Sequence, residues 1–195
     1  MTRWLGLVAW MLFLSTALVS HPRLVNGQRS EIEPTRHRSP SDVALSPDGR
    51  FAISANTTSD SASLVDVASG RILSETTCGH RPAAVAISRD GRRAAVSNWL
   101  SDSVTLFDCS ATMLQVTATV PVGDEPQGVT FSCDGKLLYV ASTGANEVAV
   151  IDVRLETVVE RIAVGPRPYS LRLSADGGLL VVGHGLAALV SGVDM

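Results

Sequence analysis

Ser132-Cys133-Asp134-Gly135-Lys136-Leu137-Leu138-Tyr139-Val140-Ala141-Ser142, followed after a short polar loop by Asn146-Glu147-Val148-Ala149-Val150-Ile151-Asp152, is the stretch that decides the fold. An Asp-Gly pair between apolar runs is a strong short-range hairpin signal. The same pair recurs at Asp48-Gly49, Asp90-Gly91 and Asp176-Gly177, so the four copies are spaced by 42, 44 and 42 residues. Each has a serine two residues before its Asp: Ser46, Ser88, Ser132 and Ser174. Eighteen residues after that Asp stands another, at Asp66, Asp108, Asp152 and Asp194.

Within a copy the runs are short and rich in Val, Ala, Ile and Thr, which favours strands over helices. Val43 to Ser46 enters the Asp-Gly turn, and Phe51 to Ala55 follows it. After the polar loop Asn56 to Ser61 come a third run, Ala62 to Val67, and a fourth, Arg71 to Thr77. A Gly-x-x-Pro linker opens the next copy, as Gly79-His80-Arg81-Pro82, Gly123-Asp124-Glu125-Pro126 and Gly165-Pro166-Arg167-Pro168. Four strands in about 40–45 residues is the period of a β-propeller blade. The expected fold is therefore all-β: propeller blades of four antiparallel strands, at 41–82, 83–126 and 127–168, with a partial fourth at 169–195. Small residues such as Ala44, Ala52, Ala86, Ala94 and Ala95 suit the crowded inner strands of such a ring. Phe51, Phe107, Phe131 and Tyr139 are expected to fill the wider space between blades.

The copies resemble the YVTN family of β-propeller repeats. Tyr139-Val140-Ala141-Ser142 is the nearest match to the name-giving tetrad, with Ala95-Val96-Ser97-Asn98 and Ile53-Ser54-Ala55-Asn56 more degenerate. The segment from Asn146 to Asp152, its counterpart from Asp102 to Asp108, the Ser-x-Asp-Gly hairpin and the Gly-x-x-Pro linker also match, and the resemblance covers residues 41–195. It implies a propeller in an extracytoplasmic setting, among relatives that include surface-layer proteins, lactonase-like propellers and the haem domain of nitrite reductases. It implies no single reaction, because a fold does not carry a function with it.

The N-terminus reads as an address. Met1-Thr2-Arg3 is followed by an uncharged stretch from Trp4 to Val19, short for a membrane span and suited to a secretory signal peptide over residues 1–20. Residues 21–40, with three prolines and four arginines, read as a linker or N-terminal arm. The chain is thus expected to be exported, to the periplasm, the cell surface or the medium, with no transmembrane span beyond the signal segment. The 195 residues carry 16 basic and 19 acidic side chains, and the basic ones are scattered arginines apart from Lys136. That balance excludes a general nucleic-acid binder.

The recurring Asp residues are turn formers, since symmetric positions in a ring point away from one another and do not converge on a metal. Functional residues are expected where the repeat breaks. The loops between strands two and three and the linkers share one face, which carries Asn56, Asn98, Trp99, His80, Arg81, Asp124, Glu125, Arg167 and His184. The ligand- or partner-binding candidates are His80, Arg81, Trp99, Asp124, Glu125, Arg167 and His184, with both histidines read as solvated loop residues. No catalytic residue and no metal site stand out: the chain has no C-x-x-C-H, C-x-x-C, H-E-x-x-H or G-x-S-x-G motif. Of three cysteines, Cys109 and Cys133 fall in turns on one face of neighbouring blades, and a disulfide between them is compatible with an oxidising compartment.

These observations point to a binding or scaffolding module that meets a protein, glycan or small-molecule ligand on its loop face, and away from an enzyme. No cofactor is expected. A redox-associated propeller beside a cytochrome-like domain or subunit is the alternative, in which His80 or His184 would serve haem. Lactone hydrolysis is a second alternative, resting on the resemblance alone. Propellers close with about 4–8 blades, so three and a part make an incomplete ring. Three accounts are open: the arm from Leu24 to Ile32 completes the fourth blade, another chain completes the ring, or the sequence is a fragment. The arm's weak strand patterning favours the last.

Overall fold

The computed structural model describes residues 38–185 and 190–195. The segment read as a signal peptide, most of the arm and residues 186–189 lie outside the described residues. Everything described is strand, turn or loop. Blade one comprises β1 (Pro40–Leu45), β2 (Phe51–Asn56), β3 (Ser61–Asp66) and β4 (Ile72–Thr77). Blade two comprises β5 (Pro82–Ile87), β6 (Arg93–Asn98), β7 (Ser103–Cys109) and β8 (Leu114–Pro121). Blade three comprises β9 (Pro126–Phe131), β10 (Leu137–Ser142), β11 (Glu147–Asp152) and β12 (Thr157–Ala163). Blade four has three strands, β13 (Pro168–Leu173), β14 (Leu179–His184) and β15 (Val190–Asp194). Each sheet is an antiparallel meander in sequence order. The blades start at Pro82, Pro126 and Pro168 themselves, one residue before the boundaries read from the sequence. Proline is tolerated as a strand's first residue, where no ladder hydrogen bond is needed from it.

The Ser-x-Asp-Gly turn has the same construction four times. The serine hydroxyl donates to the aspartate, at 2.6 Å for Ser46–Asp48 and Ser88–Asp90, 2.7 Å for Ser132–Asp134 and 2.5 Å for Ser174–Asp176. The aspartate also accepts the backbone N–H two residues on, from Arg50, Arg92, Lys136 and Gly178. The glycine between them has φ of 70–76° in every copy, a left-handed conformation that disfavours a side chain. These bonds hold each carboxyl below the ordinary aspartate range, and Asp134, which accepts from both the backbone and the side chain of Lys136, falls to about 2. At the blade ends Asp66 and Asp152 cap the following turns, whereas Asp108 pairs with Arg93 at 2.9 Å.

Alternation places one apolar face of each blade against the next. Phe107, Ile53, Leu64 and Val96 close the contact between blades one and two. Leu106, Leu138, Val140, Ile151 and Phe131 close the next, and Tyr139, Val150, Leu171 and Leu180 the third. Aromatic rings therefore sit between blades as expected, with Phe107 fully buried. Along the inside of the array β1, β5, β9 and β13 stand side by side. Gly128 allows the closest approach there, since a Cβ on it would lie 2.8 Å from the Tyr169 carbonyl oxygen.

Cys109 and Cys133 are not joined, and all three cysteines are free. Cys109 packs into the cluster between blades one and two, while the Cys133 thiol faces blade four, 3.8 Å from the Ala175 carbonyl. Although the two turns share a face, the side chains point to opposite neighbours of their blades. Burial pushes the Cys78 and Cys109 thiols up to about 12, which makes both inert as nucleophiles.

Candidate functional site

The opposite face is built by a second repeated device. Arg81, Glu125 and Arg167, each directly before a blade's opening proline, have φ of 52–54°. A left-handed non-glycine residue needs an external anchor. It is supplied by Asp60, Asp102 and Asn146, whose side-chain oxygens accept the backbone N–H of Arg81, Glu125 and Arg167 at 2.8–2.9 Å. The Arg81 N–H is the main reason the Asp60 carboxyl lies below its usual range.

Under this layer lies a buried polar cap at the end of each second strand. Asn98 Nδ2 donates to Ser103 and Thr105, and its Oδ1 accepts the Gly79 N–H. Asn56 makes the matching bonds to Ser61 and Ser63. Both asparagines are therefore structural and are withdrawn from the binding surface on which the sequence placed them. Gly79 has no room for a side chain, because a Cβ there would meet Asn98 and Ser101 within 2.4–2.7 Å. His184 takes the same position in blade four. Its Nδ1 lies 2.9 Å from the Pro166 carbonyl and its Nε2 2.9 Å from Ser191 Oγ. It is a buried strand-end residue, not a solvated loop histidine. Blade three has Ser142 instead, opposite a strand with Ala149 where its neighbours have Ser63, Thr105 and Ser191, and the Ser142 hydroxyl is buried without a partner.

The side chains that reach the surface fall into two groups. Arg81 lays its guanidinium 4.7 Å from the centre of the Trp99 ring. The two border a recess of about 180 Å³ together with Gln127 and Tyr169. Trp99, Gln127 and Tyr169 continue into a second recess of about 300 Å³, closed by Glu125, Thr143 and Arg167. Arg167 and Glu125 face each other at 3.7 Å. Both recesses open on the mouth of a channel of about 480 Å³ along the inner strands. The structure thus brings Arg81, Trp99, Glu125 and Arg167 together around one opening. His80, Asp124 and His184 do not line it. His80 is exposed and pairs through Nδ1 with Asp60 at 2.8 Å, and Asp124 is exposed in its linker.

Tyr169 and Gln127 belong to the site and were not among the expected residues. Each first strand carries a bulge next to its proline: register shifts separate Pro40 from Asp42, Pro82 from Ala84 and Pro168 from Ser170, with a matching irregularity opposite Val140–Ser142. A bulge re-aims the extra side chain out of the ladder. Here it turns Ser41, Ala83, Gln127 and Tyr169 to the channel mouth. These four directly follow the blade-opening prolines and differ in every copy, a break in the repeat that the sequence does display.

Both His184 ring nitrogens are hydrogen-bonded within the fold, whereas His80, exposed and apart from it, is hydrogen-bonded through Nδ1 to Asp60. Among the described residues no group of three or more His, Cys, Asp or Glu side chains could hold a metal ion.

A model of the YNCE-like beta-propeller family matches residues 28–176. The chain belongs to that family. Hydrazine synthase from Kuenenia stuttgartiensis is 29% identical, with a TM-score of 0.76 over 86% of this chain and 49% of that one. A protein of unknown function from Desulfotomaculum acetoxidans is 20% identical, with a TM-score of 0.68 over 80% of this chain and 55% of the other. A proposed 6-phosphogluconolactonase from Bacteroides uniformis is 17% identical, with a TM-score of 0.69 over 80% of this chain and 50% of the other. The last two share the fold alone. Antigen Lp49 of Leptospira interrogans is 34% identical over 82 residues, 35% of this chain and 18% of the antigen. The YNCE-like chain spans about half the length of the solved propellers it matches and less of the antigen.

Proposed function

We propose that this YNCE-like chain is an exported binding or scaffolding module whose partner, a protein, glycan or small molecule, docks on the linker face. The observation that carries the reading is the cluster of Arg81, Trp99, Gln127, Glu125, Arg167 and Tyr169 at the channel mouth. The frame around it recurs from blade to blade, whereas Trp99, Gln127 and Tyr169 have no like residue at their positions in the other copies. Trp99 and Tyr169 offer flat rings for stacking, and the two guanidinium groups donate to carboxylate or phosphate oxygens. The surface is equipped to hold a ligand.

Trp99 is the sole tryptophan after residue 20, so its emission reports on the site itself. Titration with acidic oligosaccharides and anionic peptides should give saturable quenching that is lost in Tyr169→Ala. Turnover of a lactone or a redox substrate by the purified chain would overturn the reading.

A further inference from the structure

The loops that follow the second strands open with Thr57, Trp99, Thr143 and Gly185. Thr57 Oγ1 donates to the Pro82 carbonyl at 2.9 Å and Thr143 Oγ1 to the Pro168 carbonyl at 2.6 Å. A threonine here therefore ties the end of one blade to the opening proline of the next. Trp99 stands at this position in blade two and has no hydroxyl to offer Pro126. The fold gives up that tie and mounts an indole at the channel mouth, braced by the Arg81 guanidinium on its ring. Tyr169, 56% exposed, borders both recesses with it, and so does Gln127. Among the described residues neither the Gln127 amide nor the Tyr169 hydroxyl is hydrogen-bonded, so both are open to a ligand. Ser41, Thr57 and Thr143, by contrast, spend their hydroxyls on main-chain carbonyls. The charges lining the two recesses are Arg81, Arg167 and Glu125, one positive in excess.

We propose that the ligand of this site is a carboxylated sugar ring of the uronic-acid type, free or at the end of a glycan, an inference that rests on reading the linker face as the binding surface. A pyranose presents an apolar C–H face to an aromatic ring and a polar rim of hydroxyls around it. Trp99 and Tyr169 supply the platform, and the Gln127 amide both donates to and accepts from hydroxyls. Arg167 forks onto the carboxylate. Glu125, 3.7 Å from Arg167, accepts from sugar hydroxyls and opposes a second negative charge. A carboxylate is thereby favoured over a phosphate monoester, which carries about two. The two recesses together reach the range of about 300–1,000 Å³ in which small ligands are held. An extended peptide is served less well at this mouth. Each first strand begins with a proline, which has no N–H to donate, and its register shifts directly afterwards.

Calorimetric titration of the full chain in a mild detergent with galacturonic acid and its short oligomers tests this, run beside neutral galactose oligomers, galactose phosphate and an acidic peptide. The expected result is saturable binding of the sugar acid, weaker by about tenfold or more for the neutral sugar and the phosphate. Equal affinity for monomer and oligomers marks a free sugar acid and a gain with length marks a glycan; both agree with the proposal. Arg167→Gln should abolish the preference for the acid over the neutral sugar, and Glu125→Gln should raise affinity for the phosphate. Trp99→Thr gives blade two the residue of blades one and three, so it should stay folded by circular dichroism and lose the ligand. Tyr169→Ala, at an exposed position, serves as the second variant should Trp99→Thr fail to fold. No binding of the sugar acid, or binding that survives both substitutions, overturns the proposal. Preference for the neutral sugar, the phosphate or the peptide, lost in Tyr169→Ala, overturns the sugar acid while leaving the linker face as the binding surface.

Discussion

The two faces of the array grow from one repeat and have diverged in opposite directions. On the turn face the Ser-x-Asp-Gly device is reproduced four times with hydrogen bonds of 2.5–2.7 Å, and the same serine, backbone and glycine geometry holds in every blade, with a Lys136 side-chain bond added at Asp134. On the linker face only the frame is shared: the left-handed residue before each proline and its Asp or Asn anchor. The side chains mounted on that frame change from copy to copy. Repetition marks what the fold requires, and departure from it marks what a partner can read. The buried cap beneath the linker face tests the division, since it repeats in blades one and two, is replaced by histidine in blade four and is lost in blade three.

The largest effect is expected at that cap. Asn98→Ala strands the Gly79 N–H and the Thr105 hydroxyl, leaves the Ser103 hydroxyl its bond to Ser101, and should cost about 3 kcal/mol in urea unfolding. Ser142→Ala, at the same place in blade three, removes a hydroxyl that has no partner and should be neutral or slightly stabilising. Equal losses at the two positions would break the comparison.

Acid should act next, and mainly on the turn face. Asp48, Asp90, Asp134 and Asp176 titrate below their unfolded value of 3.8 in the folded chain, Asp134 at about 2. A depressed carboxyl contributes stability that is fully present above the unfolded value and is lost as pH falls through the folded one. Thermal midpoints should therefore be flat from neutral pH down to about 5 and drop between 3.8 and 2. The linker anchor at Asn146 is an amide and is indifferent to this change. A smaller contrast separates two acids: Asp90→Ala should lower the midpoint by removing the Ser88 and Arg92 bonds, while Asp124→Ala, exposed in a linker, should leave it unchanged. Smallest of all, Arg81→Ala should cost about 0.5–1 kcal/mol through the lost contact with Trp99, measured by the same unfolding.

Much of this architecture is legible in the chain, for a physical reason. Hairpin turns with a left-handed glycine and strands with period-two burial are local, so Asp48-Gly49 and its copies announce themselves. The candidate site is legible in part. Arg81, Trp99, Glu125 and Arg167 could be placed on one face by counting along the repeat, and they do meet. Tyr169 and Gln127 were hidden because a bulge, which depends on the pairing of two strands, sets their direction. His184 misled in the opposite sense: it lies beside a loop in sequence, but its partners Pro166 and Ser191 come from other segments and draw it inward. The cysteines misled similarly, since a shared face says nothing about the direction of a thiol.

The claim that matters most is that the linker face, and not the turn face, receives the partner. Binding of the chain to a glycan and peptide array, run beside the Trp99→Ala/Tyr169→Ala double variant and the turn-face variant Asp90→Ala, tests it most directly. The account predicts ligands that the double variant loses and Asp90→Ala keeps. Retention by the double variant, with loss in Asp90→Ala, would contradict it.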